Sequence, residues 1–186
     1  MKANHHKFQK YLVWTALILF VARVVFFKDG FFSNFQVYAT FGAIGDAISV
    51  SYILLKLYEK YFWKFNKLDK TPRLYGVYDV TLVSSFDEIA RKGKLTINQT
   101  FTTISIKLVT DESVSVAVVG DIIENAGNFQ LVYSYRNEPQ VLILDKSSIH
   151  YGTAMLNIVS NNELNGQYFT HRKTVGTLIA KKQLGA

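Results

Sequence analysis

The sequence predicts a membrane protein in two parts: an N-terminal two-helix transmembrane hairpin, then an all-β, roughly eight-stranded antiparallel β-barrel arranged as a meander. Three observations predict it. Two apolar arms stand side by side between Tyr11 and Leu57. The whole formal charge of +7 is confined to the chain before Leu74. From Leu74 onward the pattern changes to short alternating runs broken by turn signals.

The first arm, YLVWTALILFVARVVFF (Tyr11–Phe27), is apolar except for Thr15 and Arg23. A polar break at Lys28-Asp29-Gly30 separates it from a softer arm, Phe31–Leu57, with Asp46 near its middle. A membrane-crossing helix needs ~20 mostly apolar residues, and each arm supplies the length. A secretory signal has an apolar region of only ~7–15 residues and a small-residue cleavage site, and the first arm fits neither. A soluble hairpin would carry a polar stripe at the helical period, and Leu12–Phe27 has none. The expected organisation is a hairpin over 1–57 (helices about 11–27 and 31–57), an interfacial linker over 58–73, and a barrel domain over 74–186.

Charge supplies orientation. Eleven basic and four acidic residues precede Leu74, whereas the ten basic and ten acidic residues after it cancel. The basic balance therefore belongs to the membrane flanks, and DNA or RNA is not an expected partner. Lys2, Lys7 and Lys10 precede the first arm, and Lys56, Lys60, Lys64, Lys67, Lys70 and Arg73 follow the second. By the positive-inside rule both termini and the barrel face the cytoplasm. The absence of cysteine excludes disulfides and thiolate metal sites.

Residues 1–10 read as a short basic lead, with His5-His6 solvated and lacking companion metal ligands. In the second arm Ala39, Ala43, Ala47 and Ser51 recur every four residues, with Gly42 and Gly45 close by, a spacing that lets helices approach closely in lipid. Gly42, Ala43 and Asp46 are the candidate functional residues of the hairpin, because a carboxylate at that depth is costly and faces an interior or a polar path. Counted from the Lys28–Gly30 turn, Arg23 and Asp46 differ in depth by roughly 13 Å, so no pairing between them is expected. Lysines mixed with Tyr58, Tyr61, Phe62, Trp63 and Phe65 mark the interface where the helix emerges, ending before Pro72.

The strand runs are LYGVYDVTLV, GKLTINQTFTTISIKLV, SVSVAVVGDII, FQLVYSYR, IHYGTAMLNIV, ELNGQYFT and TVGTLIAKK. Turns are expected at Arg91-Lys92-Gly93, Asp111-Glu112, Asn125–Asn128, Asn137-Glu138-Pro139 and Asn161-Asn162. In the long second run the apolar parity shifts from Leu95, Ile97 and Phe101 to Ile104, Ile106 and Leu108, so a bulge or bend near Thr102-Thr103 divides it into two strands. Closure of eight strands removes exposed edges and leaves room for one small ligand. Leu74-x-Gly76-x-Tyr78 returns as Leu164-x-Gly166-x-Tyr168, glycines that permit tight coiling. Alternation turns Tyr78, Gln99, Tyr133, Tyr135, His150, Tyr168, Thr170 and Thr174 inward. That is too many polar groups for a dry core. With Arg172 they suit bases stacked on tyrosine and phosphates met by threonine hydroxyls and a cation.

No catalytic motif is present: there is no Gly-x-Ser-x-Gly, phosphate loop or His-Glu-x-x-His, and His150 beside Asp145, Ser147 and Ser148 reads as a loop before a strand. Neither an enzyme nor a metal or cofactor site is expected.

Two membrane helices followed by Leu74-x-Gly76-x-Tyr78, LTINQTFTTISIKL, LVYSY, HYGTAML and LNGQYFTHRKTVGTLIAKK resemble the membrane-anchored, β-strand-rich effectors of CBASS anti-phage defence. These are the two-transmembrane proteins associated with cGAS/DncV-like nucleotidyltransferases. The likeness covers nearly the whole chain and is most specific at Gly166-x-Tyr168-Phe169-Thr170 and Thr174-x-Gly176. It implies a lipocalin-like cytoplasmic barrel that binds a cyclic dinucleotide made on infection, homo-oligomerisation through the membrane segments, and disruption of the bacterial inner membrane. The ligand-binding residues would be Tyr78, Gln99, Tyr133, Tyr135, Tyr168, Thr170, Arg172 and Thr174. The alternative is a membrane-anchored barrel that carries a lipid or small metabolite.

Overall fold

Alternating apolar residues in eight successive runs produce eight strands, and a continuous apolar stretch before them produces two helices. The computed structural model describes residues 3–26, 37–141 and 147–183, which divide into two units. One comprises residues 1–66 with Thr100–Thr102, and the other the rest of the chain from Lys67.

In the first unit α1 spans Ala3–Phe26 and α2 spans Val37–Leu57. A π turn at Tyr58–Phe62 and a 3₁₀ turn at Trp63–Phe65 continue α2. The basic lead is thus part of the helix rather than a free end, because no Gly or Pro between Ala3 and Tyr11 interrupts helix propagation. The lengths suffice to cross a membrane: 24 residues rise ~36 Å against a hydrocarbon core of ~30 Å. Both helices are apolar enough to do so, over Asn4–Val25 and Phe41–Phe65.

Ala43, Ala47, Ser51 and Leu55 form the buried stripe of α2, four residues apart, where the two helices pack. Ala43 is only 2% exposed, whereas Gly42 and Gly45 lie off that stripe with open space beside them. Trp14, Ile18 and Val21 of α1 and Phe41, Ile48 and Ile53 of α2 point away from any protein. Contiguous apolar surface of this kind suits lipid and not water.

Arg23 donates to Asp46, contrary to the depth argument made from sequence. That argument placed the turn at Lys28–Gly30, which lies outside the described residues, as do Phe31–Gln36. With α2 starting at Val37, Asp46 lies nine residues into its helix and Arg23 three from the end of its own. The offset falls to about 9 Å, within reach of a long guanidinium side chain and a carboxylate.

Thr100–Thr102, which join the second strand to the third, fold with the helices. Phe101 is buried between Tyr11, stacked at 6.1 Å, and Tyr58, edge-on at 5.4 Å. Its carbonyl accepts from Asn4 Nδ2 (2.8 Å), and the Thr102 hydroxyl donates to Glu59.

The second unit is a closed antiparallel barrel in which each strand pairs with its neighbours in sequence: β1 (Gly76–Ser84), β2 (Ala90–Gln99), β3 (Ile104–Thr110), β4 (Ser113–Asn125), β5 (Asn128–Pro139), β6 (His150–Ser160), β7 (Glu163–Thr170) and β8 (Val175–Lys182). β8 closes on β1 with Ser84 opposite Gly176 and Tyr78 opposite Lys182. The parity shift does divide the long run, into β2 and β3. Ala126 (φ 50°) and Gly127 (φ 81°) both adopt the left-handed region, the requirement of a two-residue hairpin turn.

Two expected turns are strand instead. Arg91-Lys92-Gly93 lies in β2 opposite Leu82, Thr81 and Val80, and Asn137-Glu138-Pro139 lies in β5 opposite Ser115, Val114 and Ser113. Polar residues on a barrel strand imitate a loop in sequence whether they face out, as Lys92 and Glu138 do, or into the polar mouth, as Arg91 and Asn137 do; Asn137 Oδ1 accepts from Ser115 Oγ (2.7 Å).

One end of the barrel is shut. Leu74, Tyr78, Leu95, Ile97 and Leu164 are fully buried there. Tyr78 Oη donates to the Asn161 carbonyl (2.8 Å), and burial pushes its pKa up to about 12. Gln99 Nε2 donates to the Pro72 carbonyl (3.0 Å), while its Oε1 accepts from Leu74 N–H (2.6 Å).

A polar-aromatic cavity at the open end of the barrel

The other end is framed by Ser85–Ile89 after β1, Asp111-Glu112 after β3, Gln140-Val141 and Ser147–Ile149 between β5 and β6, and His171–Thr174 after β7. Between them opens a cavity of about 460 Å³, inside the range of ~300–1,000 Å³ usual for small-ligand sites. Leu108, Ala154 and Leu178 line its depth, and Tyr133, Tyr135 and Tyr168 its walls.

Glycines aim these tyrosines. Across the ladders Tyr133 faces Gly120, Tyr135 faces Gly152 and Tyr168 faces Gly176. A Cβ on Gly152 would lie 2.4 Å from Tyr135 Oη, and one on Gly176 would lie 2.4 Å from the Tyr168 ring. The Tyr135 and Tyr168 rings therefore lie down across the glycines opposite them, along the cavity wall, whereas a Cβ on Gly120 would meet Tyr133 only at its Cβ (3.0 Å). The Tyr133 and Tyr135 rings are 6.0 Å apart, and burial holds both phenols above the usual tyrosine range, so both stay protonated.

The rim has two electrostatic sides. Around Ser147–Ile149 and the β7–β8 turn stand Arg172, His150 and His171. Arg172 donates to Ser147 Oγ (3.2 Å) and has no acidic partner among the described residues. His150 is buried, and its Nδ1–H donates to the Ser148 carbonyl (3.0 Å). Desolvation lowers its pKa against the raising effect of that hydrogen bond, and the Arg172 and His171 charges lower it further, so the ring is neutral at pH 7. Thr170 and Thr174 close the turn through their hydroxyls (2.6 Å).

On the other side Arg91 is clamped. Its guanidinium meets both Asp87 carboxylate oxygens (2.9 and 2.5 Å), and Nε donates to Glu112 (2.7 Å). The clamp holds the Asp87 pKa at about 2, chiefly through the Arg91 hydrogen bonds. This side carries one net negative charge and the first side a positive one, so an anion entering the mouth is drawn toward Arg172.

Of the eight barrel residues singled out from sequence, Tyr133, Tyr135, Tyr168, Thr170, Arg172 and Thr174 line the cavity. Tyr78 and Gln99 do not: they sit at the shut end, held by Asn161, Pro72 and Leu74. Tyr78 pairs with Lys182 and Tyr168 with Gly176, six residues of β8 apart, or about 20 Å. Alternation places a residue inside, but only register fixes its height.

Phe86, Asp87, Arg91, Glu112 and Asn137 line the cavity and were missed. Arg91 reads in sequence as part of a turn and Asp87 carries no signal of its own; the pairing of β2 with β1 and β3 brings them to the mouth. Asp145 lies outside the described residues, and the Ser147 hydroxyl accepts from Arg172. Among the described residues no group of three or more His, Asp or Glu could hold a metal.

Residues 69–182, which contain all eight strands, match the family model described as Cap15, cyclic dinucleotide receptor domain. The CD-NTase-associated protein 15 of Staphylococcus schleiferi is 36% identical over 143 residues, which are 75% of this chain and 78% of that protein.

Proposed function

Because the chain belongs to the Cap15 family of CBASS effectors with a cyclic dinucleotide receptor domain, we propose that the second messenger enters the open end of the barrel and drives the helices to assemble in the bacterial inner membrane. The observation that carries this reading is the cavity itself: aromatic walls, a cationic side, and a volume suited to one small ligand. A cyclic dinucleotide has two bases and two phosphates. Its bases stack on Tyr133, Tyr135 or Tyr168, and its phosphates face Arg172, Thr170 and Thr174. The messenger comes from a cognate cGAS/DncV-like nucleotidyltransferase. The reading assigns this chain no catalytic step.

The helices respond if the ligand binds the assembled state more tightly than the separate one. Ala43, Ala47 and Ser51 are used within the hairpin, but Gly42 and Gly45 leave open space where a neighbouring protomer's helix can approach closely. Assembly also brings copies of the Arg23–Asp46 pair together in the bilayer, which supplies a polar path through which water and ions pass. The excess of lysine at the two outer ends of the hairpin supports a cytoplasmic position for both termini and the barrel.

The test uses the full chain in vesicles loaded with a fluorescent dye. Addition of the activating cyclic dinucleotide releases dye from wild-type vesicles, and Gly42→Leu and Asp46→Leu suppress that release while the barrel still binds the dinucleotide. Dye release independent of the dinucleotide, or unchanged in both variants, would overturn the effector mechanism.

A further inference from the structure

We infer that Phe86 is a base-stacking residue and that the β1–β2 turn is built to present it, an assignment that rests on the cavity being the dinucleotide site. Phe86 lines the mouth of the cavity, yet it is 80% exposed. A lone exposed aromatic needs no explanation. This one is different because the turn carrying it is fixed at every step. Ser85 N–H donates to the Val175 carbonyl (2.8 Å), and Val175 N–H donates back to Ser85 Oγ (3.1 Å). Glu88 N–H donates to the Ser84 carbonyl (2.9 Å) with Glu88 in the left-handed region (φ 57°). Asp87 is locked onto Arg91, which Glu112 holds in turn. A turn this constrained orders its backbone without burying the ring, so the ring's contact surface is kept for a ligand.

Electrostatics decides which part of the ligand arrives there. The Asp87–Arg91–Glu112 group is net negative and repels phosphate, while Arg172 in the β7–β8 turn attracts it. A dinucleotide bound with its phosphates toward Arg172 therefore turns a base toward Phe86. Aromatic stacking suits any base, and a purine offers the larger face. Arg91 is then a positioning residue that fixes the turn and does not itself neutralise phosphate.

The experiment compares the full chain with Phe86→Ala, Phe86→Leu and Phe86→Trp, titrated calorimetrically with cyclic di-GMP, cyclic di-AMP and mixed purine cyclic dinucleotides. Against whichever of these the wild type binds, Phe86→Ala weakens affinity roughly tenfold to a hundredfold, Phe86→Leu restores little, and Phe86→Trp binds at least as well as wild type. Both native tryptophans, Trp14 and Trp63, lie in the helical unit, so stacking on the indole introduced by Phe86→Trp registers as added fluorescence quenching over the wild-type signal. Wild-type binding combined with full affinity in Phe86→Ala and no added quenching would overturn the stacking assignment alone. Failure of wild type to bind any cyclic dinucleotide would overturn the pocket reading beneath it.

Discussion

Replacing Gly176 by Ala tests whether the glycine opposite each tyrosine shapes the ligand site. The added Cβ would sit 2.4–2.5 Å from Cε1, Cζ and Oη of Tyr168, where ordinary contact begins near 3.4 Å. The ring must move by about 1 Å, away from the wall it now covers. Overpacking of this sort costs about 1–3 kcal/mol, and the lower chain entropy of alanine in the unfolded state returns about 0.4–1. The three nearest atoms all belong to the far end of one side chain, so the net loss falls at the low end, about 1 kcal/mol. Ligand affinity is affected more: loss of one base–aromatic stack is worth about 1–3 kcal/mol, or about 5- to 150-fold. Isothermal titration with the activating cyclic dinucleotide, paired with thermal unfolding of the ligand-free protein, separates the two quantities. Affinity at the wild-type level with a small drop in melting temperature would refute the placement of Tyr168 against the ligand.

Four further outcomes follow from the same geometry. Gly166→Ala puts a Cβ 2.1 Å from the Met155 carbonyl oxygen and 2.8 Å from Leu156 Cα; backbone must move, and denaturant unfolding should record a loss of about 2 kcal/mol or more, well above that of Gly176→Ala. Because the folded-state pKa of His150 lies below its unfolded value, the unfolded chain binds more protons in that window. Ligand-free stability should therefore fall as pH drops through about 6.5, and a His150→Gln variant should flatten that fall. A dianionic ligand beside His150 opposes the depression, so binding should take up protons and tighten from pH 7.5 to 6; titrations in buffers of different ionisation heat measure the uptake, and none would place the phosphates elsewhere. Arg172→Ala should weaken dinucleotide binding by about 1.5–3 kcal/mol, the worth of a charge-assisted hydrogen bond, with a shallower salt dependence than wild type.

The hairpin was legible because seventeen nearly unbroken apolar residues from Tyr11 to Phe27 admit few alternatives. The barrel was legible because its strands pair strictly in sequence order, so counting runs amounted to reading topology, and the parity shift at Thr102-Thr103 divided β2 from β3. Height along the barrel was not. Tyr78 and Tyr168 follow the same Leu-x-Gly-x-Tyr spacing, yet one seals the shut end and the other lines the cavity, because Leu74 precedes its strand whereas Leu164 lies within one. The Asp87–Arg91–Glu112 group was hidden for a related reason: its members meet only through the register of β1, β2 and β3. The Arg23–Asp46 pair was missed because depth was counted from an assumed turn.

Titration of the full chain with a panel of cyclic dinucleotides and a fatty acid tests the central claim most directly, with Arg172→Ala and Tyr78→Phe as paired variants at opposite ends of the barrel. The account predicts saturable binding of one or two cyclic dinucleotides, weakened by Arg172→Ala and untouched by Tyr78→Phe. Binding of the fatty acid in their place, or equal losses from both variants, would contradict it.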